Sequence, residues 1–324
     1  MRFAVVIPKF NHAEYYRKTI DSVLQQTIPP DLVILSEGNS TDGSKNEALA
    51  LTSKYPGKLI TTSAPHGSDL AQNHMHGLSL VPDSIDYTAF LASDDLWEPK
   101  FIENISRSLS FYQSLTPINC IYSGALMIDD TSMIYSASGG WRTHSVIGFE
   151  DAFNFHLQGC RYLMSGAFFK TSFLKENVDF FQRCAHHLDL ILSLESGRKG
   201  YIIFCPLHLL KYRTTSSISR KHSILEITSN SILRLYSQFL RKKGDETHAL
   251  RVENHILIKE NEMTRAPNFI MNHPIVTKLI SSFKIVVAKL HILYGWRLIQ
   301  LKYLGFIKHR FSIEPKPPNK TYSE

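Results

Sequence analysis

Short apolar runs alternate with segments of helical spacing throughout the first 95 residues. Four runs have the length and composition of buried strands: residues 3–7, 32–35, 58–62 and 87–92. Three segments between them have helical spacing with start or stop signals at their ends: residues 16–24, 41–51 and 69–80. Because a strand, a helix and a second strand in succession form a parallel pair, this rhythm predicts an α/β fold with a largely parallel sheet.

Two clusters of polar residues follow strands in this pattern. Residues 36–43 come directly after the second predicted strand, and residues 93–95 come after the fourth. In open α/β sheets, ligands bind beyond the carboxyl ends of the strands. The sequence therefore predicts a ligand site at this edge of the sheet.

The pattern changes along the rest of the chain. Further strands are predicted at residues 118–122, 162–169 and 201–204, and a helix at 187–194. After residue 220 only helical patterns remain, at 224–240 and 248–258. We therefore predict three parts, the last of which holds three prolines and is expected to be disordered. They are an α/β domain (1–220), a helical domain (221–313) and a tail (314–324).

Most of the net charge of +7 comes from one segment. No acidic residue occurs between Glu262 and Glu314, whereas eight Lys or Arg residues do, interleaved with apolar side chains. This combination is typical of a helix in the headgroup region of an anionic membrane, here at residues 275–313. The alternative is a pair of amphipathic helices packed on the main domain. No nucleic-acid-binding motif accompanies the charge, so nucleic acid is not an expected partner.

Composition excludes several other classes of protein. With 43% hydrophobic and 20% charged residues, the chain is typical of a globular protein and not of a disordered one. No apolar stretch is long enough to span a membrane, and the N-terminal apolar run is too short for a signal peptide. The four cysteines show no paired spacing, which favours a reducing compartment. We therefore expect a cytoplasmic protein that contacts the inner face of the membrane only peripherally.

Several motifs occur in a characteristic order: VVIPKFNHAEYYRKTIDSVLQQT, SEGNSTDGS, YTAFLASDDLWEPKF and, less closely, HHLDLILSLESGRKGY and LLKYRTTSSISR. Together they resemble the inverting family 2 glycosyltransferases over roughly residues 1–220. Members of that family transfer a sugar from a nucleoside diphosphate donor. The resemblance implies a GT-A fold, a Rossmann-like α/β sheet, here followed by a C-terminal α-helical extension.

The Asp94-Asp95 pair follows the fourth predicted strand. Two carboxylates offer the hard oxygen ligands that Mn²⁺ or Mg²⁺ requires when it also binds a diphosphate. The resemblance assigns Asp95 to the metal and Asp94 to the metal or the ribose, with Ala92 replacing the first acid of the family's Asp-x-Asp-Asp motif. The alternative is that Asp94 caps the helix beginning near Glu98.

The resemblance also implies a nucleotide-sugar site formed by residues distant in sequence. In this site Glu37 accepts a hydrogen bond from a uracil-type N–H, and the guanidinium of Arg213 clamps the diphosphate. Gly38 replaces a second acid of the family motif. The full set assigned to the nucleotide sugar is Pro8, Phe10, Asn11, Glu37, Asn39, Asp94 and Arg213.

The expected catalytic base departs most from the family pattern. Inversion by direct displacement needs a group that deprotonates the acceptor hydroxyl. The family has a Glu-Asp pair at the head of a helix, where this chain has His186 and His187, followed by Asp189. A neutral imidazole accepts a proton near pH 7, so His187 is one candidate base. Asp189 either replaces it or orients it; the alternatives are an ordinary helix start or an impaired enzyme.

The sequence thus predicts an inverting, metal-dependent glycosyltransferase acting on a glycan or lipid-linked acceptor in surface polysaccharide synthesis. Two alternatives remain open. One is a catalytically degenerate nucleotide-sugar binder, motivated by Gly38, Ala92 and the His-His pair. The other is a membrane-associated assembly or scaffold protein that uses the basic segment.

Overall fold

The alternation of strands and helices predicted for the first 95 residues is present in a computed structural model of the protein. The structure describes residues 1–138, 143–160, 162–214 and 222–265. For residues 222–228 and 261–265 it describes the backbone alone. Residues 1–256 form one compact unit. Of a second unit, 257–324, only the end of the last helix is described.

Within the described residues, ten strands form a single mixed sheet. They are β1 (Phe3–Lys9), β2 (Leu32–Glu37), β3 (Leu59–Ser63), β4 (Tyr87–Phe90), β5 (Leu96–Trp97), β6 (Ile118–Ile128), β7 (Ile134–Ser138), β8 (Ser145–Gly148), β9 (Ala167–Lys170) and β10 (Tyr201–Arg213). The strand order is β3-β2-β1-β4-β9-β6-β10-β5, with β7 beside β6 and β8 beside β10. The first four strands are parallel, whereas β9 runs antiparallel to both β4 and β6.

Helices cover both faces of this sheet. They are α1 (Ala13–Leu24), α2 (Ser44–Lys54), α3 (Leu70–Ser79), α4 (Phe101–Phe111), α5 (Phe149–Leu157), α6 (Thr171–Glu176), α7 (Val178–Phe181), α8 (Leu188–Lys199), α9 (His222–Lys242) and α10 (Glu246–Arg265). Short 3-10 turns at Met164–Gly166 and Ala185–His187 join neighbouring elements.

Side chains that alternate along β1 enter two separate cores. Ala4 and Val6 belong to a core shared with α3, α5, α8 and α9, while Val5 and Ile7 belong to one shared with α1, α2 and α4. Every residue of β1 is buried, as expected for a central parallel strand with helices on both faces. The α/β fold predicted from the sequence is therefore confirmed, but the sheet is mixed, because antiparallel pairs accompany β5 and β7 to β9.

Helix α3 starts and packs for reasons visible in its sequence. Asp69 caps it in a reciprocal capping box with Gln72, which satisfies two otherwise unpaired backbone N–H groups. At Gly77 the helix lies so close to the sheet that a Cβ would be 2.4 Å from Cγ1 of Val6. This close approach places the start of α3 against the ends of β1 and β2.

The helices α9 and α10 pack on the α/β layers as far as residue 256. Leu233, Tyr236 and Leu240 of α9 and Val252 of α10 are buried in the same core as α8. The boundary predicted near residue 221 therefore lies inside one compact unit. The basic segment 275–313 and the tail 314–324 lie outside the described residues.

In the described part of the chain, no helix has the length and hydropathy required to cross a bilayer. All four cysteines are described, and all are free thiols: Cys120, Cys184 and Cys205 are buried and Cys160 is half-buried.

Candidate active site

The turn after β4 carries Asp94 and Asp95 and is fixed by helix α1. The hydroxyl of Thr19 lies 3.0 Å from the carbonyl oxygen of Ser93 and 2.9 Å from that of Asp95. The ring of His12, at the start of α1, lies 2.7 Å from the Ser93 hydroxyl. These contacts hold the backbone of the turn at the carboxyl end of the sheet.

The carboxylate of Asp95 is buried and only half satisfied. Its Oδ1 accepts a hydrogen bond of 2.8 Å from the backbone N–H of Arg213, whereas its Oδ2 has no hydrogen-bond partner among the described residues. Asp95 is 1% exposed, and Asp94 beside it is 7% exposed. Burial, and next the charge of Asp94, raise the pKa of Asp95 well above its ordinary value. An unpaired buried carboxylate oxygen is costly unless a cation or a proton satisfies it.

The Asp94-Asp95 pair fits a divalent cation whose remaining ligands come from a substrate and from water. The described residues contain no cluster of three His, Cys, Asp or Glu side chains that could hold a metal by themselves. Mg²⁺-type sites in proteins often use one or two carboxylates, with substrate phosphates and waters completing the shell. The unsatisfied Oδ2 of Asp95 is the atom that suits such an ion.

Arg213 lies beside this turn, and its guanidinium is engaged with protein atoms. Nε donates to the carbonyl oxygen of Asp94 (3.0 Å), Nη2 donates to the Ser132 hydroxyl (3.0 Å), and Nη1 donates to the carbonyl oxygen of Asp129. Three of its five N–H donors therefore have protein acceptors. The predicted contact with a diphosphate has to use the remaining two.

Glu37 lies at the carboxyl end of β2, where the sequence placed it, and both of its oxygens have partners. Oε2 forms an ion pair with Nζ of Lys9 at 2.9 Å, and Oε1 accepts from the backbone N–H of Ser40 at 2.7 Å. Lys9 and Glu37 are opposite each other in the parallel β1–β2 register, and both side chains are buried. These hydrogen bonds lower the pKa of Glu37 against the opposing effect of burial, so the carboxylate stays ionised.

The loop between β2 and α2 is tied to the start of α1. The Asp42 carboxylate accepts from the backbone N–H of Ala13 (2.8 Å) and of Ser44 (3.2 Å), so it joins the first turns of two helices. Asn11 has a left-handed backbone (φ 52°), and its Oδ1 accepts from the N–H of Thr41 at 2.9 Å. The loop is therefore preorganised by its own polar side chains.

The other residues predicted to contact the nucleotide differ in exposure. Pro8 is buried in β1, whereas Phe10, just past the end of that strand, is 59% exposed. Asn39 has a left-handed backbone (φ 68°) and is half-buried. A Cβ at Gly38 would lie 2.8 Å from the carbonyl oxygen of Lys9, so the close approach of two strand ends explains why an acid is replaced there.

His187 and Asp189 lie on a separate segment. His187 ends a 3-10 turn that contacts α3, and Asp189 is in the first turn of α8. Burial, and next the neighbouring His186, lower the pKa of His187, so its imidazole is neutral at pH 7. Burial raises the pKa of Asp189, and its Oδ1 accepts from the backbone N–H of Leu190 at 2.8 Å.

Sequence reasoning missed Lys9 and Thr19 as parts of this site. Lys9 is a charged residue at the end of an otherwise apolar strand, directly before a polar loop, and that signal was available. Thr19 looks like any helix residue, because its role depends on the carbonyl groups of a turn 74 and 76 positions later.

The strand order and the acidic turn at the carboxyl end of β4 define an α/β fold that is also found in a solved structure. The crystal structure of S. aureus TarS 1-349 in complex with UDP-GlcNAc superposes with a TM-score of 0.59 at 14% identity, covering 84% of this chain and 76% of that one. This likeness confirms the GT-A fold.

Sequence comparison shows similarity to one family. Residues 4–118 match glycosyl transferase family 2. The chain is 27% identical over 282 residues to an uncharacterized glycosyltransferase of Rickettsia bellii (strain RML369-C), covering 84% of this chain but 37% of that protein's length. It is 23% identical over 232 residues to the amylovoran biosynthesis glycosyltransferase AmsB of Erwinia amylovora, covering 68% of this chain and 72% of AmsB. Over residues 4–118, the chain is thus similar to glycosyl transferase family 2.

Proposed function

We propose that the protein is an inverting glycosyltransferase that moves a sugar from a nucleoside diphosphate donor to a glycan or lipid-linked acceptor. The observation that carries this proposal is the buried Asp94-Asp95 turn, in which Oδ2 of Asp95 lacks a protein partner. The match of residues 4–118 to glycosyl transferase family 2 supports the reaction type, and the similarity to AmsB, an amylovoran biosynthesis glycosyltransferase, supports an acceptor in surface polysaccharide synthesis.

The donor in this proposal is a uridine diphosphate sugar. TarS, which shares the fold, has been crystallised with UDP-GlcNAc. Pro8, Phe10, Asn11 and Asn39 are the residues that we assign to the nucleotide. Glu37 remains ionised. To accept a hydrogen bond from the base, it has to use lone pairs other than those already bonded to Lys9 and Ser40.

Asp95, with Asp94, would hold Mn²⁺ or Mg²⁺. When bound, such an ion offsets the negative charge that develops on the departing nucleoside diphosphate. The contribution of the chain itself is to keep one carboxylate oxygen unpaired in a buried turn. The fixed backbone of the turn keeps that oxygen in place.

In this proposal the acceptor hydroxyl loses its proton to His187. Burial lowers the pKa of its imidazole, so the ring is neutral at pH 7, and a neutral imidazole is able to accept a proton. Asp189, two residues later on α8, is the alternative acceptor of that proton, and burial has raised its pKa. As the hydroxyl oxygen attacks, the bond from the anomeric carbon to the diphosphate breaks, and inversion follows from this single displacement.

The test is a calorimetric titration of UDP, GDP, CDP and ADP, each with and without Mn²⁺. UDP should bind with Mn²⁺ and much more weakly without it, and Asp95→Asn should abolish the dependence on Mn²⁺. Asp83→Asn is the matched control, since that side chain is 93% exposed and its ion pair is with Lys175, far from the acidic turn in sequence. If the folded protein binds none of the four, the transferase proposal is wrong.

A second candidate function is nucleotide-sugar binding without turnover. The observation that favours it is the pair His186-His187 at the position where the family has two acids. Incubation of UDP-sugars with the protein and Mn²⁺ distinguishes the two functions. Binding without release of UDP, with or without an acceptor glycan, would favour the degenerate binder.

A membrane role for residues 275–313 remains a separate prediction. Binding of the full chain to anionic liposomes, and its loss on deletion of that segment, would support it. Retention of liposome binding after the deletion would contradict it.

A further inference from the structure

Arg213, the last residue of β10, is the largest fully buried side chain of the described residues. A buried guanidinium is tolerated only if its N–H groups have acceptors, because an unsatisfied buried charge is very costly. Its acceptors here come from two different turns, and neither contributes a carboxylate oxygen to the guanidinium: they are the carbonyl oxygens of Asp94 and Asp129 and the hydroxyl of Ser132.

Two contacts of Arg213 act directly on the acidic turn. Its backbone N–H donates to Oδ1 of Asp95 at 2.8 Å, and its Nε donates to the carbonyl oxygen of Asp94 at 3.0 Å. The first contact fixes the rotation of the Asp95 carboxylate, and the second fixes the peptide that precedes it. As a result Oδ2 of Asp95 is the oxygen that remains without a partner.

The other contacts of the guanidinium fix Arg213 itself. Asp129 and Ser132 belong to the turn between β6 and β7, where the Asp129 carboxylate accepts from the backbone N–H groups of Thr131 (2.9 Å) and Met133 (3.0 Å). The guanidinium also lies over the ring of Tyr15 in α1, 4.2 Å from its centroid. The side chain of Arg213 therefore contacts the acidic turn, the turn between β6 and β7, and helix α1. Through these contacts it links the acidic turn to the other two elements.

We propose that Arg213 is a positioning residue that orients the Asp95 carboxylate for a divalent cation, in place of the diphosphate-binding role that the sequence suggested. This inference rests on the proposed function. It adds a determinant that the family segment 4–118 does not contain, since Arg213 lies 95 residues beyond its end. Groups that hold metal ligands in place commonly change metal affinity by about 10- to 100-fold when they are removed.

Lysine cannot replace Arg213 in this arrangement. The planar guanidinium presents N–H groups in fixed directions, so it reaches carbonyl and hydroxyl oxygens of two turns at once. An ammonium group on a flexible stem keeps the charge but not that fork. Arg213→Lys and Arg213→Met should therefore have similar effects, with Lys the less damaging to folding.

The experiment measures Mn²⁺ binding to the full-length protein from the electron paramagnetic resonance signal of free Mn²⁺, in the presence of UDP. A separate titration measures UDP at saturating Mn²⁺. The variants are Arg213→Lys, Arg213→Met and, as a matched control, Arg107→Met, whose side chain is 73% exposed in an i,i+4 pair with Glu103. Thermal unfolding of each variant establishes that it is folded.

The expected result is a Kd for Mn²⁺ raised about 10-fold or more by both Arg213 variants and unchanged in the control. An unchanged Kd for Mn²⁺ with weakened UDP binding at saturating Mn²⁺ would assign Arg213 to the diphosphate and overturn the inference. If Arg213→Met does not fold, Arg213→Lys decides on the same criterion. Failure of the wild-type protein to bind UDP with Mn²⁺ is a different result, because it removes the proposed function itself.

Discussion

Asp95 combines burial, a neighbouring like charge and an unsatisfied oxygen in one side chain. In the metal-free protein all of these disfavour the ionised carboxylate, and its pKa in the folded state is above that in the unfolded chain. The folded state therefore binds more protons than the unfolded state at mildly acidic pH. It follows that this residue makes the protein less stable as the pH rises from the ordinary carboxyl range through the raised pKa.

Asp95→Asn should consequently stabilise the metal-free protein, and by more at pH 8 than at pH 5. The amide keeps an acceptor for the Arg213 N–H but never ionises. Urea unfolding in the presence of a chelator at both pH values measures the difference, with Asp83→Asn as the exposed control. The same gain at both pH values would show that Asp95 does not titrate between pH 5 and pH 8 in the folded protein, which would contradict this account.

The pH dependence of the reaction distinguishes the two candidate bases, since the pKa of His187 is lowered and the pKa of Asp189 is raised. Because burial lowers the pKa of His187, an acid limb of kcat/KM that reports this group lies below the ordinary value for histidine, about 6.5. We expect His187→Asn to reduce kcat by about 100-fold or more and to remove that limb. The measurement is a pH–rate profile of both His187→Asn and Asp189→Asn. If only Asp189→Asn has this effect, Asp189 is the base.

At the scale of single elements, sequence patterns predicted the first half of the sheet well and the second half poorly. β1 to β4 are apolar runs bounded by turn residues, so their positions followed from local composition. β10 was predicted as residues 201–204 but continues to Arg213, where its polar residues pair with β6 and β5. β5, β7 and β8 are short or exposed, so no periodic signal marks them, and β5 and β8 pair with β10 far away in sequence.

β9 is shorter than predicted, and polar contacts of a single residue accompany the difference. The apolar run 162–169 predicted a strand, but β9 begins only at Ala167 because Met164–Gly166 forms a 3-10 turn. In that turn the Ser165 hydroxyl accepts from the backbone N–H of Ala92, and the Ser165 carbonyl accepts from Nε1 of Trp97.

The placement of Asp94 and Asp95 was predictable from one motif, whereas the contact between Asp94 and Arg213 joins residues 119 positions apart.

Helix α8 is held to α9 and α10 by a buried charge network that also lies outside the sequence prediction. Glu195 is completely buried and forms two hydrogen bonds with Arg198, both at 2.9 Å, and a third with the Tyr236 hydroxyl at 2.6 Å. Arg198 also pairs with Asp245, at the start of the turn into α10, at 2.7 Å. The network joins the helix that carries Asp189 to the two helices that follow the sheet.

Arg198→Met should destabilise the protein by about 3–5 kcal/mol, since it leaves the Glu195 charge buried without its cation. The double variant Glu195→Leu with Arg198→Met should lose less than the single Arg198→Met variant, because no unpaired charge is left. Arg107→Met, in an exposed pair, should change stability by less than about 1 kcal/mol. Urea unfolding measures all three free energies. Equal losses for Arg198→Met and Arg107→Met would contradict this account.

For the whole molecule, the compact unit ends at residue 256 and not near residue 221. Besides Ala249, six larger apolar side chains from the two last described helices are buried in the core: Ile232, Leu233, Tyr236, Leu240, Val252 and Ile256. At roughly 1.5–3 kcal/mol for each buried side chain, their removal would cost on the order of 10 kcal/mol. That is comparable with the total stability of an ordinary domain.

A chain ending at residue 256 should therefore unfold in one cooperative transition, whereas a chain ending at residue 221 should not fold stably. Circular dichroism during urea titration of both truncated proteins measures this. Cooperative unfolding of the shorter protein, with the same midpoint as the longer one, would support the boundary that the sequence suggested.

The position of β10 within the sheet also has a consequence for the order of events during synthesis. This strand lies between β6 on one side and β5 and β8 on the other, and it ends in Arg213. A nascent chain that has left the ribosome only as far as residue 118 already contains the four parallel strands, but it lacks the strand that completes the sheet. The Asp94-Asp95 turn must then wait for 118 further residues, counted from Asp95, before Arg213 secures it. During translation, the two carboxylates are therefore exposed to solvent long before they become a site.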